Sequence, residues 1–578
     1  MTDEFSPLLP YADIQIDENG LPISQQYDDP YFSRNGGLAE TQHVFIAGND
    51  LPQRWQGLDP NRQPFVIGET GFGTGLNFLT TWQAWEQSKP SGWLHFVSTE
   101  LHPIRLEQLT QLHQQWPELA EYAAQLQQQW PLPQRGFHRL NFPDSRISLT
   151  LLYGDAADTL PQLSAEVDAW YLDGFAPVRN EGLWNSDLYQ TIGKLTAAGG
   201  TFATYTAAGH VRRGLADAGF EVSKRDGFGY KRDMSVGQKA GEKTNSPIVD
   251  KATIVGAGIA GATIARTLAE RGLSITVLEA GPEPASEASG VFAGLVRPWP
   301  ELTRSPRERY FESAFLFAQR NLRTKRSWFE QTGITQAFDN EERAGRIAER
   351  GFSESLLEAE NNQLHYPGGL TVAPKAWCQA LLQHPNIHVQ YNTAVENIPE
   401  TDQPVILAGG WKLAALSQPE HCKLQFIRGQ LSTVAAKPPE KARCHNGHWL
   451  SHPGSKDSVI GSSFVPNSND SSLSEQEHTE TVKKLQRDKV LPEGEHPATA
   501  LYANVRLASN DRMPIIGRLS SPNDSPVYVS TAHGSRGLTG ALLAAEIIKS
   551  RLLNEPAPIE ANLLEAVSPQ RFANRSTS

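Results

Sequence analysis

Two stretches of this 578-residue sequence hold residue types at spacings that suit cofactor chemistry. In "VIGETGFGTGLNFL" (66–79), Gly71, Gly73 and Gly75 separate a short apolar run from a second, helix-like one. Glycines at such a turn let the backbone pass close to a ligand, and the helix that follows offers unpaired N–H groups. In "KATIVGAGIAGATIARTLAERGLSITVLEA" (251–280), Gly256, Gly258 and Gly261 repeat this grammar, and Glu279 ends the next apolar run. That is the full dinucleotide arrangement, with pyrophosphate at a helix N-terminus and a carboxylate on a ribose. The first cradle has its own acids. Glu69, Glu100 in "WLHFVSTE", Asp155 in "ISLTLLYGD" and Asp173 in "VDAWYLDGF" each close an apolar run. Any one of them alone reads as a cap or turn residue. Four at the same ends of successive strands converge on one crevice, where Glu100 can accept both hydroxyls of a ribose.

The elements that must position these residues alternate. "PFVIGE", "WLHFVSTE", "ISLTLLYGD", "VDAWYLDGF" and "GGTFATYT" read as strands, with a helical, Gln-rich insertion before the third, a helix at "AGHVRRGLADAG" and an edge hairpin from "FEVSKR". Such alternation predicts a mainly parallel sheet covered on both faces. The polar stretch "GQKAGEKTNSPIVD" (237–250) reads as a linker, which places one domain at 1–236 and a second at 251–578. Residues 1–64 carry short strand-like runs and turns without a clear assignment. In the second domain a helical span is expected near 306–330, an exposed loop at 466–480, and a strand, glycine turn and closing helix in "SPVYVSTAHGSRGLTGALLAAEIIKSRL".

Composition narrows the function classes. Three cysteines without CxxC spacing support neither a disulfide framework nor a zinc site, so no metal is expected. No apolar run is long enough to span a bilayer and the N-terminus lacks the pattern of a secretory signal, so a cytoplasmic protein without a membrane partner is expected, and a monomer. A formal charge of −12 argues against a polynucleotide partner over the whole surface, but a local patch suffices. Candidate patches are Arg212-Arg213, Lys224-Arg225 and Lys231-Arg232, then "TRSPRERY" (303–310) and "RNLRTKR" (320–326). Each alone also reads as a solvated face.

Residues 60–235 resemble a class I S-adenosylmethionine-dependent methyltransferase. The resemblance implies that Gly71, Gly73 and Gly75 pass the methionine part, with Glu69 near its amino group, Glu100 on the ribose and Asp155 on the adenine side. Asp173-Gly-Phe175-Ala-Pro177 falls where methyltransferases of exocyclic amines carry an acid or amide, a proline and an aromatic ring, although the double proline is absent. It therefore implies Asp173 as the catalytic residue that positions the amine and takes its proton late, with Phe175 and Pro177 beside the donor. "EASGVFAGLVRP" (287–298), with Ser289 and Gly290, and "HGSRGLTGALLAAEII" (533–548), with Gly534, Ser535, Arg536, Gly537 and Leu538, resemble the flavin-contacting segments of oxidases related to D-amino-acid and glycine oxidase. "YANVRLASNDRMPIIG" (502–517) resembles the stretch in which that family pairs an arginine, here Arg506, with a substrate carboxylate; Arg536 is a second candidate. The expected fold class is thus α/β, a Rossmann-like methyltransferase followed by a FAD-binding Rossmann domain of the D-amino-acid-oxidase type with an inserted mixed-sheet subdomain.

Together the halves answer each other's chemistry. An oxidase of that type turns R–NH–CH2–COO⁻ into R–NH2, and the methyltransferase needs R–NH2. The stretches "YDDPYFSRNGGLAETQHVF", "DAWYLDGFAPVRN", "GFGYKRDM" and "GSRGL" resemble a bacterial family of bifunctional tRNA-modification enzymes acting on 5-carboxymethylaminomethyl-(2-thio)uridine at the wobble position. The resemblance implies FAD and S-adenosyl-L-methionine as cofactors, a tRNA anticodon stem-loop as partner, and conversion through 5-aminomethyl- to 5-methylaminomethyl-(2-thio)uridine. The sequence departs from that family at Val291 and near Ala293, where Asn and Gln are usual, and its oxidase half looks short. Two alternatives stand beside this one: the same pair of reactions on a free N-substituted glycine, or an active methyltransferase carrying a catalytically silent flavoprotein scaffold.

Overall fold

The computed structural model describes residues 6–322, 326–340, 342–520 and 526–577. They fall into two compact units: Pro7–Ile248 with Leu553–Ala561, and Val249–Leu552 with the residues from Asn562 onward.

In the first unit β1 (Phe65–Thr70), β2 (Leu94–Glu100), β3 (Gly136–Phe142), β4 (Ile147–Tyr153), β5 (Val167–Tyr171), β6 (Thr196–Thr204), β7 (Phe220–Asp226) and β8 (Asp233–Lys239) make one sheet in the order β7-β8-β6-β5-β1-β2-β4-β3. The five strands β6-β5-β1-β2-β4 run parallel. Every residue of β1, β4 and β5 is buried, which is why these strands read as unbroken apolar runs rather than alternating ones. One face packs on α1 (Leu76–Ser88) through Phe78, Leu79, Trp82 and Trp85. The other packs on α2 (Gly209–Asp217) through Val211 and Leu215 against Trp170 and Phe202. The order of strands reverses at β1, whose neighbours are β2 and β5, and such a reversal opens a crevice at the carboxyl ends. Residues 1–64, unassigned from sequence, contribute a small meander of Ile14–Ile16, Pro22–Ser24 and Asp29–Pro30.

Three sequence expectations change here. The Gln-rich insertion is helical only at Leu106–His113 and Ala120–Gln128. Its last part is β3, which pairs antiparallel with β4 from Gly136↔Tyr153 to Phe142↔Ile147 and buries Phe137, Leu140 and Phe142. The stretch read as a linker is docked on the first unit. Residues 237–239 complete β8, and Lys243 Nζ lies 2.8 and 2.9 Å from the carboxylate oxygens of buried Asp168. Ser246 N–H then donates to Gln63 Oε1 at 2.9 Å and its carbonyl accepts from Arg62 at 2.7 Å. Its polarity serves polar partners rather than freedom in water. Finally, the C-terminal segment Leu553–Ala561, expected with the second domain, completes the first unit. Arg139, only 2% exposed, donates to Pro556 O at 2.6 Å, and Ala557 N–H to Ser164 O at 3.0 Å.

In the second unit β9 (Lys251–Val255), β10 (Ser274–Leu278), β11 (Ile387–Gln390), β12 (Val405–Leu407), β15 (Ile515–Arg518) and β16 (Val527–Thr531) form a sheet ordered β11-β10-β9-β12-β16-β15, parallel except for β15. Helix α3 (Ile259–Glu270) follows β9, and α4 (Gly537–Leu553) follows β16. A nine-stranded sheet is built around the long ladder of β13 (Leu424–Val434) with β14 (Ala498–Ser509), the expected mixed-sheet insertion. The helix expected at 306–330 ends at Asn321, and Phe329–Glu330 is a strand. The expected loop at 466–480 turns helical at Glu475, where the Ser474 side chain accepts from Glu477 N–H, a capping signal present in "SEQE". All three cysteines are buried and none forms a disulfide, and among the described residues no helix is long and apolar enough to cross a membrane.

Removing the cation beside Asp168 leaves a buried carboxylate held by Val66 N–H at 2.8 Å, with Arg54 on its backbone carbonyl. Lys243→Ala should therefore lower the stability of the first unit by about 2 kcal/mol, read as a lower urea midpoint, with Lys243→Arg restoring most of it. An unchanged midpoint in Lys243→Ala would contradict the docking of 240–248.

Candidate active sites

At the reversal point of the first sheet lies a cavity of about 630 Å³. Gly71, Gly73 and Gly75 all take positive φ, and a Cβ at Gly75 would come within 2.8 Å of the Phe72 ring. The turn is thus closed to other residues there. Glu100, at the end of β2, accepts from Gly73 N–H at 2.8 Å and His102 N–H at 2.7 Å. Burial pushes its carboxyl up to about 7, against the pull of those backbone donors. Asp155 caps the next helical turn, accepting from Ala157 N–H at 2.8 Å.

Asp173, on the turn after β5, is held from two sides. Gly174 N–H donates to Oδ1 at 2.8 Å, and Asn77 Nδ2 donates to Oδ2 at 2.7 Å. The same Asn77 Nδ2 donates to Glu69 Oε1 at 2.9 Å, while Ser98 Oγ donates to Glu69 Oε2 at 2.6 Å. Burial raises Asp173 to about 6, with the charge of Glu40 adding to it, and drives Glu69 well above the carboxylate range, with the charge of Asp173 adding there. Phe175 stacks on Tyr27 with centroids 4.6 Å apart and meets Tyr31 edge-on at 5.2 Å, giving the cavity an aromatic wall. Tyr205 donates to Gly174 O at 2.9 Å, and Lys231 Nζ sits 3.8 Å over its ring.

Gly71, Gly73, Glu100, Asp155, Asp173 and Phe175 all line this cavity. Glu69 and Gly75 stand behind its wall, and Pro177 lies off it. Glu69 is therefore shielded by Ser98 and Asn77 from anything in the cavity. Asn77, Tyr27, Tyr31 and Tyr205 were missed, and Lys231, read only as part of a basic patch, lines the cavity. Their signal was partly present, since Tyr27 and Tyr31 fall in "YDDPYFS" and Asn77 follows the glycine turn, but no local pattern marks them as wall residues.

The second cavity, about 750 Å³, opens on the β9–α3 turn. Glu279 accepts from Ala257 N–H at 2.7 Å and Gly281 N–H at 2.8 Å, and Ser289 Oγ accepts from Ile259 N–H at 3.0 Å. Gly256, Gly258, Glu279, Ser289, Arg506, Gly534, Ser535, Arg536, Gly537 and Leu538 line it, as do Val291 and Ala293. Gly261 and Gly290 stand behind. A Cβ at Gly261 would lie 1.9 Å from Gly256 O, so this glycine serves the close packing of helix on strand. Arg506 donates to Ser463 O at 3.3 Å and has no carboxylate partner among the described residues; burial lowers its pKa. Arg536 packs on the Trp299 ring at 4.0 Å, and burial, then the charge of Arg297, lowers its pKa well below the usual value. Arg297, missed from sequence, lines the same cavity and donates to Gln336 Oε1 at 2.7 Å. His448 is pushed down to about 4 by burial and by Arg506 and Arg297. Arg536 Nε, His448 Nε2 and Thr531 Oγ1 find no hydrogen-bond partner among the described residues.

These features fit the two expected cofactors. The first cavity has a backbone cradle that side chains would fill and a carboxylate above it for a ribose. The second has a dinucleotide turn and orphaned polar atoms for a polar ring system. Of the other basic clusters, Arg304 and Arg307 are tied to Glu312, Glu308 and Glu301, and 320–326 lies partly outside the described residues, at Arg323 and Lys325.

Fold and sites define an S-adenosylmethionine-dependent methyltransferase joined to a FAD-dependent oxidoreductase. Residues 117–240 match the family model described as S-adenosyl-L-methionine-dependent methyltransferase, and residues 251–551 that described as FAD dependent oxidoreductase. A relative from Hahella chejuensis, named tRNA 5-methylaminomethyl-2-thiouridine biosynthesis bifunctional protein MnmC, is 37% identical over 98% of this chain and 99% of its own. One of the same name from Methylobacillus flagellatus is 34% identical over 98% and 97%. Glycine oxidase from Geobacillus kaustophilus, a solved structure, covers 56% of this chain and 99% of its own at 17% identity with a TM-score of 0.46. The chain belongs to the MnmC family of bifunctional tRNA-modification enzymes.

A carboxyl whose folded pKa is raised keeps a proton that the unfolded chain has released, so its contribution to stability is largest at low pH and is lost as pH rises through the folded value. For Glu100 that window runs from the ordinary carboxylate range to about 7, and for Asp173 to about 6. The ligand-free protein should therefore lose thermal stability in its first unit between pH 5.5 and 8, and Glu100→Gln should shrink that difference. A pH dependence identical in both proteins would contradict the burial of Glu100.

Proposed function

We propose that the second unit removes the carboxymethyl group from 5-carboxymethylaminomethyl-(2-thio)uridine at the wobble position of tRNA, and that the first unit methylates the amine so released. The reading rests on one complementarity. One cavity offers arginines that no carboxylate pairs with among the described residues, suited to a substrate carboxylate, while the other offers a half-buried acid against aromatic rings, suited to an amine.

In the second cavity Arg506 holds the carboxylate of the glycine arm bidentately, a task its planar fork suits. Gly256, Gly258, Glu279 and Ser289 would hold FAD, which when bound would supply an acceptor for the hydride of the arm's Cα–H while the N–H proton is lost to water. The resulting imine takes up water and parts into the amine and glyoxylate. Arg297 and Arg536 strengthen the positive field that draws the carboxylate in.

In the first cavity Gly71 and Gly73 leave room for the methionine part of S-adenosyl-L-methionine, Glu100 takes the ribose and Asp155 the adenine side. The amine must attack in its neutral form. At pH 7 an alkyl amine with a pKa of about 10 is neutral roughly once in a thousand molecules, a cost of about 4 kcal/mol. Phe175, Tyr27 and Tyr31 strip water from it, which favours the neutral form. Asp173, fixed by Asn77 and Gly174, orients the nitrogen and accepts the proton that attack on the sulfonium methyl sets free. A cytoplasmic monomer working on the anticodon stem-loop is part of the same reading, with methylation in residues 7–248 plus 553–561 and oxidation in 249–552 and 562–577.

Nucleoside mass spectrometry of carboxymethylaminomethyl-containing tRNA tests both steps. Without S-adenosyl-L-methionine the aminomethyl nucleoside should accumulate, and with it the methylaminomethyl one. Asp173→Ala should slow the second step by about a hundredfold or more while the first proceeds, whereas Arg506→Met should leave the carboxymethyl group in place. Methylation at the normal rate in Asp173→Ala would overturn the role given to that acid.

A further inference from the structure

The hairpin β7–β8 ends in a tip, "GFGYKR" (227–232), closed by hydrogen bonds from Gly227 N–H to Arg232 O and from Lys231 N–H to Phe228 O. The two aromatic rings of the tip part ways. Phe228 packs on the core of the first unit and lies 5.9 Å from the His43 ring. Tyr230 is 93% exposed, and yet it lines the mouth of the methyltransferase cavity beside Lys231 and Arg34. The tip is fixed there. Gly229 has φ +62°, a backbone conformation that favours glycine, and lies against the Asn35 side chain. Lys231 ties the tip inward through Tyr205, whose hydroxyl reaches the Asp173–Gly174 turn, and through Glu40 at 3.8 Å.

A single exposed aromatic residue is ordinary. Three features make this one unusual: its place on the rim of a cavity that takes one base, its cationic flank, and a backbone that holds it still. The basic residues of the hairpin, Lys224, Arg225 and Arg232, are exposed, with Lys224 and Arg225 also meeting Asp233 and Asp50. When one base of a polynucleotide enters a cavity, its neighbour loses a stacking partner, and a fixed aromatic face at the mouth replaces that partner. Resting on the tRNA reading above, we propose that Tyr230 is a stacking platform for the nucleotide next to the wobble uridine, held while the uridine's amine lies at Asp173.

The test is methylation of tRNA bearing aminomethyl-uridine by the full chain, with binding of a fluorescently labelled anticodon stem-loop measured alongside. Tyr230→Ala should raise KM and weaken stem-loop binding roughly tenfold or more, with kcat nearly kept and S-adenosyl-L-methionine binding unchanged. Tyr230→Phe and Tyr230→Trp should retain wild-type values, because stacking needs the ring and not the hydroxyl. The loss in Tyr230→Ala should also be the same at low and high salt, whereas loss of a phosphate contact flattens the salt dependence. An unchanged KM in Tyr230→Ala, or a defect in Tyr230→Phe as large as in Tyr230→Ala, would overturn the platform. If the unsubstituted chain methylates no tRNA, the substrate reading fails and the platform falls with it.

Discussion

One amide nitrogen, Asn77 Nδ2, stands between two buried carboxylates that would otherwise repel each other. Glu69 belongs to the strand entering the glycine turn and Asp173 to the turn leaving β5, the strand beside it in the sheet, so this amide joins the two sides of the crevice where the strand order reverses. Thr41 Oγ1 donates to the Asn77 carbonyl oxygen at 2.6 Å and so sets which end of the amide faces the acids. Burial disfavours the charged form of both acids, and the shared Asn77 donor offsets part of that cost. The aromatic wall of Tyr27, Tyr31 and Phe175, the raised Asp173 carboxyl and the glycine cradle all follow from closing that crevice.

The second unit solves an opposite problem. Its cavity gathers Arg297, Arg506 and Arg536 with no carboxylate among the described lining residues close enough to pair, and it sheds charge from His448 instead. A protein with a formal charge of −12 thus concentrates positive charge in one interior site and negative charge in another. Family membership gives that contrast a meaning, since an anionic arm must be recognised in one place and a basic nitrogen in the other. Val291 and Ala293 leave part of the second cavity wall apolar, so polar contacts to a bound ring system must come from other lining residues, among them Thr531 and Arg536, whose Oγ1 and Nε have no hydrogen-bond partner among the described residues.

Much of this was readable from local sequence because backbone geometry demands it. Three positive-φ glycines in a row, acids at strand ends and a dinucleotide turn are each encoded within a few residues. What escaped was set by distant contacts. Strand β3 looks like the tail of a helical insertion because its pairing partner, β4, is a separate segment that dictates its form. The stretch 240–248 looks like a linker because nothing nearby reveals that Lys243 answers Asp168. Asn77 and Tyr205 gain their roles only from the approach of the Asp173 turn, and Arg297 only from the folding of the inserted sheet beside β9. Glu69 was placed on the wall because strand-end acids usually point outward; here Ser98 and Asn77 enclose it.

The segment Leu553–Ala561 has a consequence for biogenesis. A ribosome makes the methyltransferase sequence first, but the piece that satisfies Arg139 emerges only after the whole flavoprotein sequence has been translated. The first unit therefore gains this segment only after the oxidase sequence has been made. A chain cut short within the oxidase leaves a guanidinium in the methyltransferase core lacking the Pro556 carbonyl, and quality control is handed a recognisable defect. Completion of one enzyme is made conditional on translation of the other.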